Sequence, residues 1–429
     1  MTGGQSLELR GLVGIAASLA SAASWGFAPR LGIDRSRFRR MAVAAFALTR
    51  AGLYFAAFFL FHMQPRGDID LYMQEAIPAY RHQLVYRDFI TPHAPLSPYL
   101  FSAMLHIAMS PLTIIFFAVL FDIGAFTLWM RYSARLPAAL TERRAALLMI
   151  CSPVSLLTVA IDGQMNSLIA LSLAWSAVAV VESRDALSGF AAAIPGVLVK
   201  FLSWVFVPGI SAASRRKVAW IAGFVGLTVP IYCAFAAGGA NILVPLSAEG
   251  THKTTSNITF LWEIVTGISL GDRLPDLMLA TAWLVIVVLT LRAANRRTAD
   301  RDATARIVLA SLISIMMVIQ VFSKNTWDRY LVMAMFPLCW LAAEFTAAQI
   351  AAYCVWLVVN VTYRSYWAIV APVPALVAHA AVAQHDPRAY TLLLGEILQT
   401  GGNIFILVLA VRSLLRLSNA SQPPDAHAA

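Results

Sequence analysis

The chain has 429 residues, of which 59% are hydrophobic and only 13% charged, about half the roughly 25% charged content of an ordinary soluble domain. Its formal charge of +10 would suit nucleic acid if the basic residues shared one polar face, but they sit in short groups between apolar runs, so no nucleic-acid partner is expected. Composition therefore excludes a sizeable soluble domain and predicts an all-α, polytopic transmembrane bundle, since runs such as 112–130 and 218–237 are apolar on every side, unlike the alternating strands of a barrel.

In chain order, residues 1–40 form an N-terminal segment. A weakly apolar, Ser-rich stretch at 11–28 suits a span, an interfacial helix or an uncleaved leader, and a basic group of Arg30, Arg35, Arg37, Arg39 and Arg40 follows. A membrane core is predicted over 41–345. Its first span, 41–62, leads to Gly67-Asp68-Ile69-Asp70-Leu71-Tyr72 and on to Thr91-Pro92-His93-Ala94-Pro95-Leu96, where the prolines pin an extended turn. The run 112–130 returns to Arg131, Arg135, Arg143 and Arg144, and 145–160 leads to Asp162-Gly163-Gln164-Met165-Asn166. After 168–181, a short pair at 186–200 and 201–214 places Lys200 at one end and Arg215, Arg216 and Lys217 at the other. The run 218–237 leads to a polar loop with His252, Lys253, Ser256 and Asn257. Spans at 276–291 and 307–322 reach Ser323-Lys324-Asn325-Thr326-Trp327-Asp328-Arg329, and 330–343 closes the core. Residues 346–417 add C-terminal membrane helices, with one span and a re-entrant helix, or two spans, within 347–390. A polar tail occupies 418–429. At about 20 residues per crossing the chain holds about 11–13 spans, with short re-entrant or interfacial helices in the outer loops.

Arginine groups mark the cytoplasmic side of such a protein. The loops bearing Asp68, Asp162, Lys200, His252 and Lys324 then share the opposite, periplasmic or extracellular, face of a multi-pass cell-membrane protein. Cys151, Cys233, Cys339 and Cys354 are isolated in or beside apolar runs and suit core packing rather than a disulfide framework.

Ionisable residues at a membrane edge are costly and are functional candidates by default. Asp68, taken as a carboxylate with no cation nearby, can serve as general base on a hydroxyl. Asp70 is the alternate, because one residue of slip at the helix end changes which side chain faces a cleft; the plain alternative is that the pair merely ends a helix in water. Lys200 is a lone cation in an apolar run, suited to snorkelling or to a lipid phosphate. The 323–330 cluster supplies a second cation and an aromatic platform at Trp327, or else an interfacial belt with an Asp328–Arg329 pair. Asp162, Gln164 and Asn166 suit hydrogen bonds to a polyol or a helix cap, while no pattern supports His252 and Lys253. There is no phosphate-binding Gly-rich loop, no metal-ligand spacing, no Gly-x-Ser-x-Gly elbow and no inverted repeat of a secondary transporter. Neither a metal nor a cofactor is expected.

The order of parts over about residues 60–345 resembles the GT-C superfamily of integral-membrane glycosyltransferases, and most closely glycosyltransferase family 87. Asp68-Ile69-Asp70-Leu71-Tyr72 resembles that family's aspartate followed four residues on by tyrosine. Tyr86 with His93-Ala94-Pro95-Leu96 resembles its tyrosine and Tyr-Pro-Pro-Leu segment, with departures at His93 and Ala94. Ser152-Pro153, the Asp162 to Asn166 loop, the segment Gly189 to Gly196, Lys200 and Pro208 resemble its most recognisable core. The resemblance implies transfer of a hexose or pentose, mannose foremost, from a polyprenyl-phosphate-sugar donor to a lipid or glycan acceptor at the outer membrane face, usually with inversion. Asp68 would be the base, with Lys200, Arg329 and Lys324 meeting the donor phosphate. Tyr72, His93, Asp162, Gln164, Asn166, His252 and Trp327 would contact sugar or acceptor. Where the family has a histidine in the late outer loop, this chain has Trp327-Asp328-Arg329. A flippase or transporter of a lipid-linked glycan, and a non-catalytic assembly subunit, are the rival classes.

Overall fold

Runs with no polar face must satisfy their backbone groups internally, and here they do so as helices. The computed structural model describes residues 3–250, 254–297, 301–370 and 375–419; the structure is 78% helix, without strands among the described residues. His252 and Lys253, and the tail from 420 on, lie outside them.

Helix α1 (Gly3–Phe27) doubles back through a short turn into α2 (Arg35–Phe55), where the Asp34 carboxylate accepts from the Ser36 and Arg37 backbone amides. That N-cap holds Asp34 down to about 2, chiefly through its bond from the Ser36 hydroxyl. A π-turn, Ala56–Leu60, extends α2 towards α3 (Ile69–Tyr80) and α4 (Ser97–Leu105). Then come α5 (Pro111–Ser133), α6 (Ala139–Ile150), α7 (Pro153–Thr158), α8 (Asn166–Val181), α9 (Asp185–Leu198), a 3-10 turn at Phe201–Phe206, α10 (Val207–Ser211) and α11 (Lys217–Ala237). The later elements are α12 (Val244–Gly250), α13 (Ile258–Thr266), α14 (Arg273–Arg297), α15 (Arg301–Phe322), a 3-10 turn at Asp328–Ala334, α16 (Met335–Ala343), α17 (Ala347–Val370), α18 (Ala375–Ala383) and α19 (Pro387–Asn419).

Seven helices among the described residues are long and apolar enough to cross a membrane: Arg10–Arg30, Arg35–Leu60, Pro111–Ser133, Lys217–Ala237, Arg273–Arg296, Arg301–Phe322 and Pro387–Asn419. Other apolar runs among the described residues are shorter, at Asn166–Val181, Asp185–Leu198, Phe201–Ser211 and Ala347–Thr362. The single span expected at 145–160 is two helices, α6 and α7, with Pro153 opening the second. The stretch expected to begin a helix at residue 330 starts as a 3-10 turn before α16.

Helix α15 is the hub: 89% of its apolar window is buried, against 11% for α11 at the rim. It packs on α14, α16 and α19, while α5, α8, α9 and α11 stack side by side and α1 lies along α17. The α9–α11 crossing is close because it is built on glycine. A Cβ at Gly189 would lie 1.9 Å from the Trp220 carbonyl oxygen, and one at Gly223 would lie 2.0 Å from that of Ala186. Small residues at such a crossing let backbones approach for van der Waals packing, which replaces the hydrophobic drive inside lipid.

The break between α6 and α7 leaves helix-end carbonyls inside the bundle, and Arg50 answers them. Its guanidinium, wholly buried, donates to Met149 O at 2.7 Å, to Ile150 O and to Ser155 Oγ at 3.0 Å. Ser155 in turn donates to Asp122 Oδ2 at 2.6 Å, and Asp122 lies 3.7 Å from Arg50 Nε. A buried arginine that is both paired and fully engaged avoids the penalty of an isolated charge.

The bundle has two chemically distinct ends. At one, Arg35 and Arg39 grip Glu142, Arg143 donates to the carbonyls of Leu31 and Ile33, and Arg131 and Arg135 meet Glu182. Helix α2 and its π-turn span 26 residues, about 40 Å at 1.5 Å per residue, and deliver the chain to the other end, where Asp68 lies.

Candidate active site

Asp68 occupies the N-cap position of α3, and the helix places Tyr72 and Glu75 four and seven residues on, along the same face. Asp70 is exposed in the first turn. Of the two carboxylates left open by the sequence, Asp68 is the one the fold turns inward. Its Oδ1 accepts from Arg329 Nη1 at 2.6 Å. The expectation of a carboxylate without a nearby cation is therefore corrected: the cation comes from the far end of the core, where sequence distance hid it.

Lys200 reaches the same place by a backbone device. Ala94 N–H donates to Val199 O and Leu96 N–H to Val197 O, both at 2.9 Å, which stitches the Pro-rich loop to the end of α9. Lys200 follows immediately, with Nζ 5.6 Å from the Tyr330 ring centroid. The same loop carries His93, whose Nδ1 lies 2.8 and 2.9 Å from the two Glu75 oxygens. Beside a carboxylate that nitrogen is the donor. The Tyr86 hydroxyl donates to His93 O, and the Tyr72 ring meets the imidazole edge-on at 5.4 Å.

The electrostatics follow from this packing. Burial pushes the Asp68 carboxyl up, but Arg329, Lys200 and His93 together hold it below the usual carboxylate range. Burial alone would lower Arg329, yet Asp68 and its neighbours leave it raised and firmly cationic. Burial, with Asp68 nearby, drives the Tyr72 phenol well above its usual value, so it remains a protonated donor.

A second ion pair adjoins the first. Asp162 receives Arg10, with Nη2 to Oδ2 at 2.9 Å, and Arg66 stands close to both with its Nη1 buried and without a hydrogen-bond partner among the described residues. Gly163 makes the turn possible: its φ is +61°, and a Cβ there would lie 2.6 Å from Ile69 Cδ1 and 2.7 Å from Ile115 Cγ1. The turn sets Gln164 beside Gly67 and lets Asn166 Nδ2 donate to Arg329 O at 3.1 Å. Trp327 stacks under the Arg329 guanidinium at 4.3 Å.

Asp68, Tyr72, His93, Asp162, Gln164, Asn166, Lys200, Trp327 and Arg329 are thus neighbours through these contacts. Two expected participants are not brought in: Lys324 is tied to Asp276 at 2.9 Å, and Asp70 faces outward. His252 lies outside the described residues. The Asp328–Arg329 side-chain pair does not form either, because Asp328 accepts from the Arg329 backbone amide while the guanidinium turns to Asp68. Glu75, Arg10 and Arg66 were missed. Glu75 carried a signal, the i, i+4, i+7 spacing from Asp68; Arg66 lay two residues before it; Arg10 carried none. Among the described residues, no group of three or more His, Cys, Asp and Glu side chains converges on a metal-sized site.

Fold and site together define a helical bundle, with helices able to cross a membrane and a cluster of paired charges at one pole. No family model, curated protein or solved structure matches the chain.

Proposed function

We propose that the protein is a membrane glycosyltransferase of the GT-C kind. It transfers a hexose or pentose, mannose foremost, from a polyprenyl-phosphate donor to a lipid or glycan acceptor. The observation that carries this is the meeting of Asp68 with Arg329 and Lys200, three residues from distant parts of the chain. Such a cleft combines a base with cations suited to a phosphate leaving group. By the positive-inside rule this pole, opposite the arginine groups, faces the periplasm or the exterior.

Arg329 offers a fork of donors to the phosphate oxygens, and Lys200 adds a point charge. As the anomeric carbon–oxygen bond breaks, its electron pair leaves with the polyprenyl phosphate, where the two cations meet the developing charge. The acceptor oxygen bonds to the anomeric carbon from the opposite face and passes its proton to Asp68. In the resting state the Arg329 contact makes Asp68 a weak base. A phosphate that draws the guanidinium away raises the proton affinity of Asp68, so the base gains strength when the donor is in place. His93, Tyr72, Gln164, Asn166 and Trp327 surround the cleft with hydroxyl-binding groups and a stacking surface suited to a sugar.

The test is transfer from a polyprenyl-phosphate sugar by purified Asp68→Asn in bilayer discs. Transfer should fall about 100-fold or more, with thermal stability and donor binding close to wild type. Transfer near the wild-type rate would end the proposal, and glycolipid translocation that survives Asp68→Asn would favour a flippase.

A further inference from the structure

The basic end of the bundle holds a charged cavity that the proposed transfer reaction does not use. It has a volume of about 230 Å³ and lies where the first turns of α15, the end of α16 and the last turns of α19 meet. Arg306 and Arg416 flank it, Glu344 and Ser413 complete the polar rim, and Trp340 stands at its wall. Below the rim the lining is apolar, with Leu309 and Ile313 almost wholly buried. This volume is under the roughly 300 Å³ of the smallest drug-sized pockets; it suits a headgroup whose tails continue outside.

Charge separates this cavity from its surroundings. The arginines at this pole that pack into the bundle are engaged: Arg35 and Arg39 by Glu142, Arg143 by backbone carbonyls, Arg296 by Ser418 O. Arg306 and Arg416 have no ion pair or hydrogen bond among the described residues. They face Glu344, whose carboxyl burial pushes up against the opposing pull of the two arginines. With Glu344 ionised the cavity carries a single net positive charge, and with it protonated, two.

We propose that this cavity binds the phosphodiester headgroup of an anionic phospholipid. Arg306 and Arg416 clasp the phosphate, Ser413 and Trp340 meet the glycerol region, and the acyl chains run down the exposed apolar side of α19. Basic pockets between helices on the arginine-rich side of a membrane are suited to anionic lipid headgroups. Paired guanidinium groups match the oxygens of a phosphate. The bound lipid braces α19 against the hub helix. This binding is independent of the sugar-transfer chemistry at the opposite pole.

The experiment reconstitutes the full chain in discs of phosphatidylcholine with and without phosphatidylglycerol, then counts retained lipids by native mass spectrometry and follows thermal unfolding. Wild type should retain phosphatidylglycerol preferentially and melt higher in its presence. Arg306→Gln with Arg416→Gln should lose that preference by roughly tenfold or more, while Arg412→Gln, at the same pole but outside the cavity, and Asp68→Asn should keep it. If the double variant fails to fold, Arg416→Gln alone carries the test, being exposed near the end of α19. An unchanged preference in the arginine variants overturns the proposal. Stabilisation of lipid-free, detergent-held protein by inorganic phosphate, without any preference for phosphatidylglycerol, also overturns it in favour of a soluble phosphate.

Discussion

At position 68 a single carboxylate is both half of an ion pair and the group we assign to proton transfer. Its acidity is set by residues the local sequence does not show. Because Arg329 and Lys200 depress the folded value, the pair stabilises the fold above the unfolded pKa of about 3.9, and that stability is lost as pH falls through the folded value. On the proposed function, kcat/KM for transfer should stay level down to a pH below the usual carboxylate range. Arg329→Gln removes the foremost charge that offsets burial at Asp68. Its kcat/KM should fall about tenfold or more through the lost phosphate contact, and its acidic limb should move to higher pH. A variant whose limb stays at the wild-type position would separate Asp68 from the proton transfer. Asp68 and Lys200 were legible in the sequence as charges at the ends of apolar runs. The identity of their partner was not, since an ion pair between residues 68 and 329 depends on which helix ends meet.

At the scale of elements, hydropathy finds apolar runs but not their breaks. Nothing in the sum of hydrophobicity over 145–160 separates one span from α6 and α7; Pro153 marked the place, and Arg50 made it tolerable by binding the freed carbonyls. Arg50→Leu would leave Asp122 buried opposite an apolar group and Met149 O and Ile150 O without their guanidinium. The expected cost is about 3–5 kcal/mol, read as a fall in melting temperature in detergent. Replacing Asp122 by Leu as well should recover part of the loss. A single variant as stable as wild type would show that the network contributes nothing net. Neither residue stood out beforehand, because one charge within a long apolar run barely alters its average.

At the scale of the whole molecule, the two poles make a topological prediction. In a chain with its four cysteines replaced by alanine, Asp70→Cys, exposed beside the site, should react with a membrane-impermeant thiol reagent added outside intact cells. Arg412→Cys, exposed near the end of α19, should react only after permeabilisation. The reverse pattern would invert the orientation and place the cleft in the cytoplasm.

Composition by itself pointed to a helical bundle whose helices are apolar enough to cross a membrane, because so many apolar residues with so few charges is a summed property that needs no knowledge of contacts. The alternation of arginine groups with mixed polar loops likewise sorted the loops into two sets. Tertiary structure alone decided that Asp68 rather than Asp70 faces inward, that Arg329 rather than Lys324 meets it, and that Arg10 and Glu75 join the cleft. Each of these turns on helix rotation and on which ends lie together. Packing across hundreds of residues fixes both, and the order of residues along the chain does not display them.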